Sequence, residues 1–198
     1  MEGFLDDFDS WFHRRYFLKP KKRYWPFKIA LNILLQRGGK RIVETGCVRQ
    51  KNDWGGGMST LIFAAFCHRY GKKLYSVDID PEAIATATKV TELFRNNIEF
   101  KCQDSVEYLK KFPHEIDLLY LDSMDCDVRP EADNRAAQEH QLAELNAAWA
   151  NLHVRSIVLL DDNNFINGGK TILTKEALRQ SGWLELLTWK CSLWIKGP

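Results

Sequence analysis

The sequence predicts an α/β fold built on a doubly wound, mostly parallel sheet. From Arg41 onward, short apolar runs rich in β-type residues alternate with helical patterns, the order that lays covering helices on a parallel sheet. Most of those runs end in an acid, and in open α/β sheets ligands sit outside the carboxyl ends of the strands. At the far end, WLELLTW and CSLWIK follow each other too closely for a helical crossover, so they form an antiparallel hairpin at a sheet edge.

The expected strands are RIVE (41–44), KLYSVD (73–78), IEFKC (98–102), IDLLYLD (116–122) and SIVLLDD (156–162). Helices are expected over 59–70, 81–94, 105–112, 135–152 and 170–180. Pro81 suits a first helical position, and Asp80 before it can cap the free N–H groups of that helix.

A chain of 198 residues with 45% hydrophobic and 27% charged residues has ordinary globular composition. We divide it into an N-terminal basic and aromatic helical segment, 1–40, and a main domain, 41–198. The net charge of +2 does not call for a polyanionic partner. Five scattered cysteines without a C-x-x-C pair indicate reduced thiols rather than zinc or disulfides. The acidic start and the absence of an apolar run of about 20 residues point to a cytoplasmic protein with no membrane partner.

Between Trp11 and Lys40 stand nine basic residues and no acidic one, interleaved with aromatics. That pattern suits a stacking surface for RNA or anionic lipid. It equally suits a helix packed by its aromatics over the substrate side, upstream of the amphipathic positions Ile29, Ile33 and Leu34, with Pro20 and Pro26 as breaks. The second reading is our expectation, with a small molecule rather than nucleic acid as partner. No oligomeric state is implied.

The first strand runs into Glu44-Thr45-Gly46-Cys47, detours over 48–55, and re-enters a helix through Gly56-Gly57-Met58-Ser59-Thr60. This is not the G-x-G-x-x-G spacing of a dinucleotide site. An acid before the first glycine repels a pyrophosphate but attracts the ammonium of a nucleoside-linked amino acid such as S-adenosylmethionine. Asp78, at the end of the second strand, can accept from a ribose diol. Asp104 can accept from an adenine amino group or cap the helix that follows, and Ser59 is placed to cap its own helix. NGGKT lacks the first glycine of a phosphate loop, and no G-x-S-x-G is present.

VETG with GGGMST, SVDIDPEAI, CQDSVEYL and LLYLDS, in that order, resemble the motifs of class I S-adenosylmethionine-dependent methyltransferases from about Arg41 to the C-terminus. The resemblance implies a Rossmann-like seven-stranded sheet with an antiparallel last strand. Glu44, Gly46, Asp78 and Asp104 stand at the matching cofactor positions. Thr45, Gly57, Ser59, Thr60, Ile79, Ser105 and Asp122 complete the expected cofactor set. The detour departs from the usual compact glycine loop and leaves open which of Gly55, Gly56 and Gly57 meets the cofactor.

Asp122 and the run Asp161-Asp162-Asn163-Asn164 close two strands with hard oxygen donors, which suit Mg²⁺ or Mn²⁺. The pattern is similar to metal-dependent O-methyltransferases of the catechol and macrolide-sugar types, which implies Asp122, Asp161 and Asp162 as ligands, or a register using Asn163. Such a metal would acidify an acceptor hydroxyl. The lysine that catechol-type enzymes carry three residues beyond the fourth-strand acid is Asp125 here, so His140 and Lys170 are the expected catalytic bases beside Asp122. Helical spacing sets Leu142, Leu145, Trp149 and Leu152 on the buried face, with His140 nearly opposite. The expected activity is methyl transfer to an oxygen of a small hydroxylated, possibly sugar, substrate. Metal-independent transfer and a non-catalytic cofactor-binding module are the alternatives.

Overall fold

The computed structural model describes residues 7–129, 131–165 and 168–197. Five strands, β1 (Arg41–Thr45), β2 (Lys73–Asp78), β3 (Ile98–Cys102), β4 (Ile116–Leu121) and β5 (Leu152–Leu160), run parallel. The hairpin strands are β6 (Trp183–Thr188) and β7 (Ser192–Lys196). The seven form one sheet in the order β3-β2-β1-β4-β5-β7-β6, with β7 antiparallel to both neighbours.

Alternation along each central strand feeds two cores. Ile42, Leu74, Leu118, Ile157 and Leu159 point to one face, and Val43, Val77, Leu119, Val158 and Leu160 to the other. Both faces are buried, which is why these strands read as continuous apolar runs. The first face is covered by α1 (Phe8–Tyr16), α2 (Tyr24–Gln36) and α3 (Ser59–Tyr70), and the second by α5 (Ser105–Lys110), α6 (Arg135–Ala148) and α7 (Ile172–Gln180). Ala83 and Ala87 of α4 (Pro81–Val90) join Cys47, Val48 and Met58 in a smaller cluster. Among the described residues no helix is long and apolar enough to cross a membrane.

Most of the N-terminal aromatics are packing residues. Phe12, Tyr16, Tyr24 and Phe27 are buried, and the Phe27 ring lies 5.3 Å from Phe63 and 5.5 Å from Tyr120. Residues 1–6 of this segment lie outside the described residues. Pro26 does not break the helix: it sits in the first turn of α2, where a missing N–H has no partner to lose.

Several boundaries shift for local reasons. The fourth helix ends at Val90, and a tighter 3₁₀ stretch, Glu92–Asn97, leads into β3. β5 begins at Leu152 rather than 156, with an irregularity opposite Ile116 and Leu118 absorbing the extra length. The last helix begins at Ile172, so Lys170 stands in the loop before it, after Gly168 and Gly169 at positive φ.

Candidate active site

Register brings the functional ends of the chain into one row. Thr45 pairs with Val77 on one side and Leu121 on the other, and Leu121 pairs with Leu160. The backbone therefore leaves the sheet at Gly46, Asp78, Asp122 and Asp161 along one edge, and strand order reverses between β1 and β4, where an open sheet forms its crevice. A cavity of about 230 Å³ opens there, walled by Gly46, Arg49, Asp53, Gly56, Ser59, Asp78, Ile79, Asp122 and Ser123 among others.

Gly46 is dictated by this crossing. Its φ is +77°, and a Cβ there would lie 2.4 Å from the Asp122 carbonyl oxygen. Gly56 lines the cavity, whereas Gly57 does not; a Cβ on Gly57 would meet Arg23 Cδ at 2.6 Å. The glycine turn is thus shaped from behind by the N-terminal segment. Arg23 Nη1 donates to the Gly55 carbonyl at 2.9 Å, and Val48 N–H donates to Thr60 Oγ1 at 3.0 Å.

Asp78 is pre-set as an acceptor. Its two oxygens take the backbone N–H groups of Cys47 and Asp80, each at 2.9 Å, which fixes the carboxylate while leaving lone pairs toward the cavity it lines. Ile79 beside it is 71% exposed at the cavity wall, an apolar surface suited to a flat ring. Asp80 caps α4 through the Glu82 N–H at 2.8 Å, and Asp104 caps α5 through the Glu107 N–H at 2.9 Å.

Glu44 stands behind the cavity wall rather than in it. Fully buried, it accepts from Ser59 Oγ at 2.5 Å and Ser76 Oγ at 2.8 Å. Burial pushes its carboxyl up to about 7 against the lowering effect of those hydroxyls. The expected contact with a ligand ammonium is therefore corrected to a brace between β1, β2 and α3. Ser59 does not cap its helix either, because its hydroxyl is spent on Glu44 and Met58, at φ +52°, holds the N-cap position without a side-chain bond. Thr45 and Thr60 are buried supports, Thr45 Oγ1 accepting from the Asp122 N–H at 3.3 Å.

The acids closing β4 and β5 meet internal cations. Asp161 is fully buried, and Oδ2 accepts from Arg23 Nε and from the Tyr120 hydroxyl, both at 2.7 Å. Its Oδ1 accepts from the Asp162 N–H at 2.7 Å and from Cys191 Sγ at 3.4 Å. Lys170 Nζ donates to Asp122 Oδ1 at 2.7 Å and the Met124 carbonyl at 3.0 Å, and lies 3.4 Å from Asp162 Oδ2. Lys190 pairs with Asp162 Oδ1, and its ammonium sits 4.0 Å from the centre of the Phe165 ring.

Three carboxylates thus face three side-chain cations: Arg23, Lys170 and Lys190. Asp161 has no lone pair left for a metal, and Asn163 Oδ1 already accepts from Thr171 Oγ1 and Lys175 Nζ, both at 3.0 Å. A divalent ion would be drawn into a site whose negative charge is already balanced, so the residues do not fit the expected Mg²⁺ or Mn²⁺ in either register. Among the described residues no cluster of three or more histidine, cysteine or carboxylate side chains is arranged to hold a metal.

These pairs also revise the expected bases. Burial by itself favours a neutral Lys170, but Asp122, Asp162 and Asp161 outweigh it and hold the amine well above its ordinary value. A permanently charged ammonium cannot accept a proton. Asp161 would be raised by burial, yet Arg23 above all, with Lys170 and Lys190, draws it well below the usual carboxylate range. Asp122 is pushed upward by burial and by neighbouring Asp161.

His140 lies on a flank of α6 instead of opposite its core face. The buried residues of α6 are Ala137, Gln141, Glu144, Leu145 and Ala148, while Trp149 is exposed, because the helix is wedged between α5 and α7. His140 Nε2 reaches Ser105 Oγ at 3.3 Å and Glu144 Oε1 at 3.5 Å, and Glu144 raises the imidazole above its ordinary value. His140, Asp104 and Ser105 are not part of the cavity wall.

Sequence reasoning missed Arg23, Tyr120, Lys190 and Ser123. Arg23 is one of nine basic residues in its segment, and its partner is 138 positions away. Ser123 borders the cavity, and its hydroxyl is buried without a hydrogen-bond partner. Asp125, at the position a catechol-type lysine would hold, forms a two-pronged pair with Arg49 at 2.7 Å per contact.

The family model described as "Methyltransferase domain" matches residues 54–163, more than half of the chain. This chain belongs to that methyltransferase family. The matched region runs from the glycine turn through Asp78 and Asp122 to the acids that close β5. The methyltransferase domain is similar in fold to the SAH-bound Podospora anserina methyltransferase PaMTH1, with TM-score 0.64 and 15% identity over 98% of this chain and 87% of that one. It is also similar to the O-methyltransferase NovP, with TM-score 0.62 and 14% identity over 89% and 80% of the two chains. A third similar structure is the calicheamicin methyltransferase CalS11, with TM-score 0.62 and 15% identity over 92% and 83%. No curated protein sequence matches this methyltransferase.

Proposed function

We propose that this methyltransferase uses S-adenosylmethionine as donor and methylates an oxygen of a small hydroxylated acceptor without a metal ion. The observation that carries the reading is the charge of the cavity. Among the described residues, Asp53, Asp78, Asp80 and Asp122 line it with one cation, Arg49; because Asp122 is paired with Lys170 and Arg49 with Asp125, it is Asp53, Asp78 and Asp80 that leave the wall acidic. S-adenosylmethionine bears a sulfonium, an ammonium and one carboxylate, so an acidic wall with one guanidinium suits it. The demethylated product lacks the sulfonium charge, and the same wall holds it less firmly.

When bound, the donor supplies an electrophilic methyl group. Asp78, fixed by the two backbone N–H groups, accepts from the ribose diol, and Ile79 covers the adenine face. Arg49, shared with Asp125, is the cation on the wall that can answer the carboxylate. Asp122, whose proton affinity is raised by burial and by Asp161, takes the acceptor's proton, and Ser123 supplies a further hydrogen bond. Lys170 keeps Asp122 oriented and is not itself the base. Oxygen as the acceptor atom is supported by the kinship in fold with NovP, described as an O-methyltransferase.

Calorimetry with S-adenosylmethionine tests the donor assignment. Asp78→Ala removes charge-assisted hydrogen bonds of about 1.5–3 kcal/mol each, so affinity falls at least tenfold; unchanged affinity refutes the ribose assignment. Formation of S-adenosylhomocysteine with a panel of hydroxylated acceptors then separates an enzyme from a cofactor-binding module.

A further inference from the structure

The basic, aromatic N-terminal stretch buries most of its rings and leaves a few large apolar side chains outside. Phe17, Leu18 and Trp25 are 48%, 61% and 51% exposed. Phe17 and Leu18 are adjacent in sequence, and the buried Tyr24 ring lies between Phe17, at 5.7 Å, and Trp25, at 5.1 Å. Large apolar side chains gathered in one exposed patch mark an interaction site more often than isolated ones do.

The patch is set in positive charge. Lys19, Lys21 and Lys22 of the same turn are exposed, and no acid occurs in sequence between Trp11 and Lys40. Asp9, just before that stretch, is paired with Lys28 at 3.0 Å. The turn is also held rigidly in an uncommon shape, with Leu18 at φ +55° and Lys21 at φ +48°. Non-glycine residues in that region store strain that the surrounding structure must enforce. The enforcement is visible: Pro20 is buried, Lys19 lies 5.4 Å over the Trp54 ring, and Arg23 is locked to Asp161 and Gly55.

We propose that Phe17, Leu18 and Trp25, together with the exposed Lys19, Lys21 and Lys22 of the same turn, form an interfacial anchor that seats on an anionic lipid bilayer. Aromatic and aliphatic side chains enter the headgroup boundary while the lysines meet anionic headgroups, the composition of proteins that lie on membranes. RNA could use the lysines and the rings, but it gains nothing from the exposed aliphatic Leu18. Because Arg23 directly follows the anchor and holds the Gly55 carbonyl, the anchor is tied to the loop that walls the cavity.

The test is sedimentation of the full chain with vesicles of phosphatidylcholine alone and of equimolar phosphatidylcholine and phosphatidylglycerol. Binding is expected only to the anionic vesicles, weakening as salt rises. Lys21→Gln and Lys22→Gln should each weaken it about fivefold. Leu18→Asn with Trp25→Gln leaves net charge unchanged, and Asn tolerates positive φ, so the fold is kept while binding drops about tenfold or more. A brominated phospholipid should quench tryptophan fluorescence of the wild-type protein, a readout that needs no variant. The proposal is overturned by failure to bind anionic vesicles, by equal binding to neutral ones, or by binding indifferent to the Leu18/Trp25 variant. Single-stranded RNA that binds more tightly than the vesicles, and is lost with the same lysines, overturns it in favour of nucleic acid.

Discussion

Arg23→Met isolates the contribution of the buried ion pair that joins the N-terminal segment to the end of β5. Methionine retains the apolar stem but leaves the Asp161 carboxylate, fully buried, without the guanidinium 2.7 Å away. Lys170 and Lys190 remain, paired chiefly with Asp122 and Asp162. Stripping one partner from a buried pair costs about 3–5 kcal/mol, because the remaining charge is uncompensated. Against a total stability of about 5–15 kcal/mol this is a large fraction. For a chain of this size it lowers the thermal midpoint by about 6–20 °C. Asp161→Leu should cost a similar amount, leaving Arg23 buried without its carboxylate. The double variant removes one charge of each sign and leaves Asp122 and Asp162 facing Lys170 and Lys190, so the two losses should not add. Urea unfolding of wild type, both single variants and the double variant measures this, with an expected coupling of about 2–3 kcal/mol. Single-variant losses below about 1 kcal/mol, or strict additivity, refute the assignment of Arg23 as the neutralising partner of Asp161.

Glu44→Gln tests the pH sensitivity built into β1. Folded Glu44 holds its proton to about 7 against an ordinary value of 4.5, so its contribution is fully present below 4.5 and lost as pH rises through 7. Wild-type stability should therefore fall by about 1–3 kcal/mol more than that of Glu44→Gln between pH 4.5 and 8, and parallel pH curves would refute the raised value. Gly46→Ala, with its Cβ 2.4 Å from the Asp122 carbonyl and φ at +77°, should cost at least about 2 kcal/mol and weaken donor binding in calorimetry. Turnover, once an acceptor is in hand, should be the same in EDTA and in added Mg²⁺. A loss in EDTA restored by Mg²⁺ would show that a metal displaces the lysines from Asp122 and Asp162.

The sequence by itself determined the elements and the edge at which the ligand cavity forms. KLYSVD and IEFKC fold as read, residue for residue, and the 59–70 helix matches its pattern. Those signals are local: side-chain alternation, a proline after a capping aspartate, and runs that are apolar because both of their faces are buried. The place of Asp78 at a strand end and of Asp80 as a helix cap was legible for the same reason, since strand end and helix start lie within a few residues of each other. What only the tertiary structure decided is the charge state of the acids that close β4 and β5. Asp122, Asp161 and Asp162 read as metal ligands because the sequence displays their oxygens in a row and conceals their partners, which arrive from positions 23, 170 and 190. Glu44 reads as a ligand contact and Ser59 as a helix cap for the same reason, whereas they bond to one another across 15 positions. A carboxylate's neighbours set its proton affinity and its free lone pairs, and for a buried carboxylate those neighbours are chosen by packing rather than by sequence proximity.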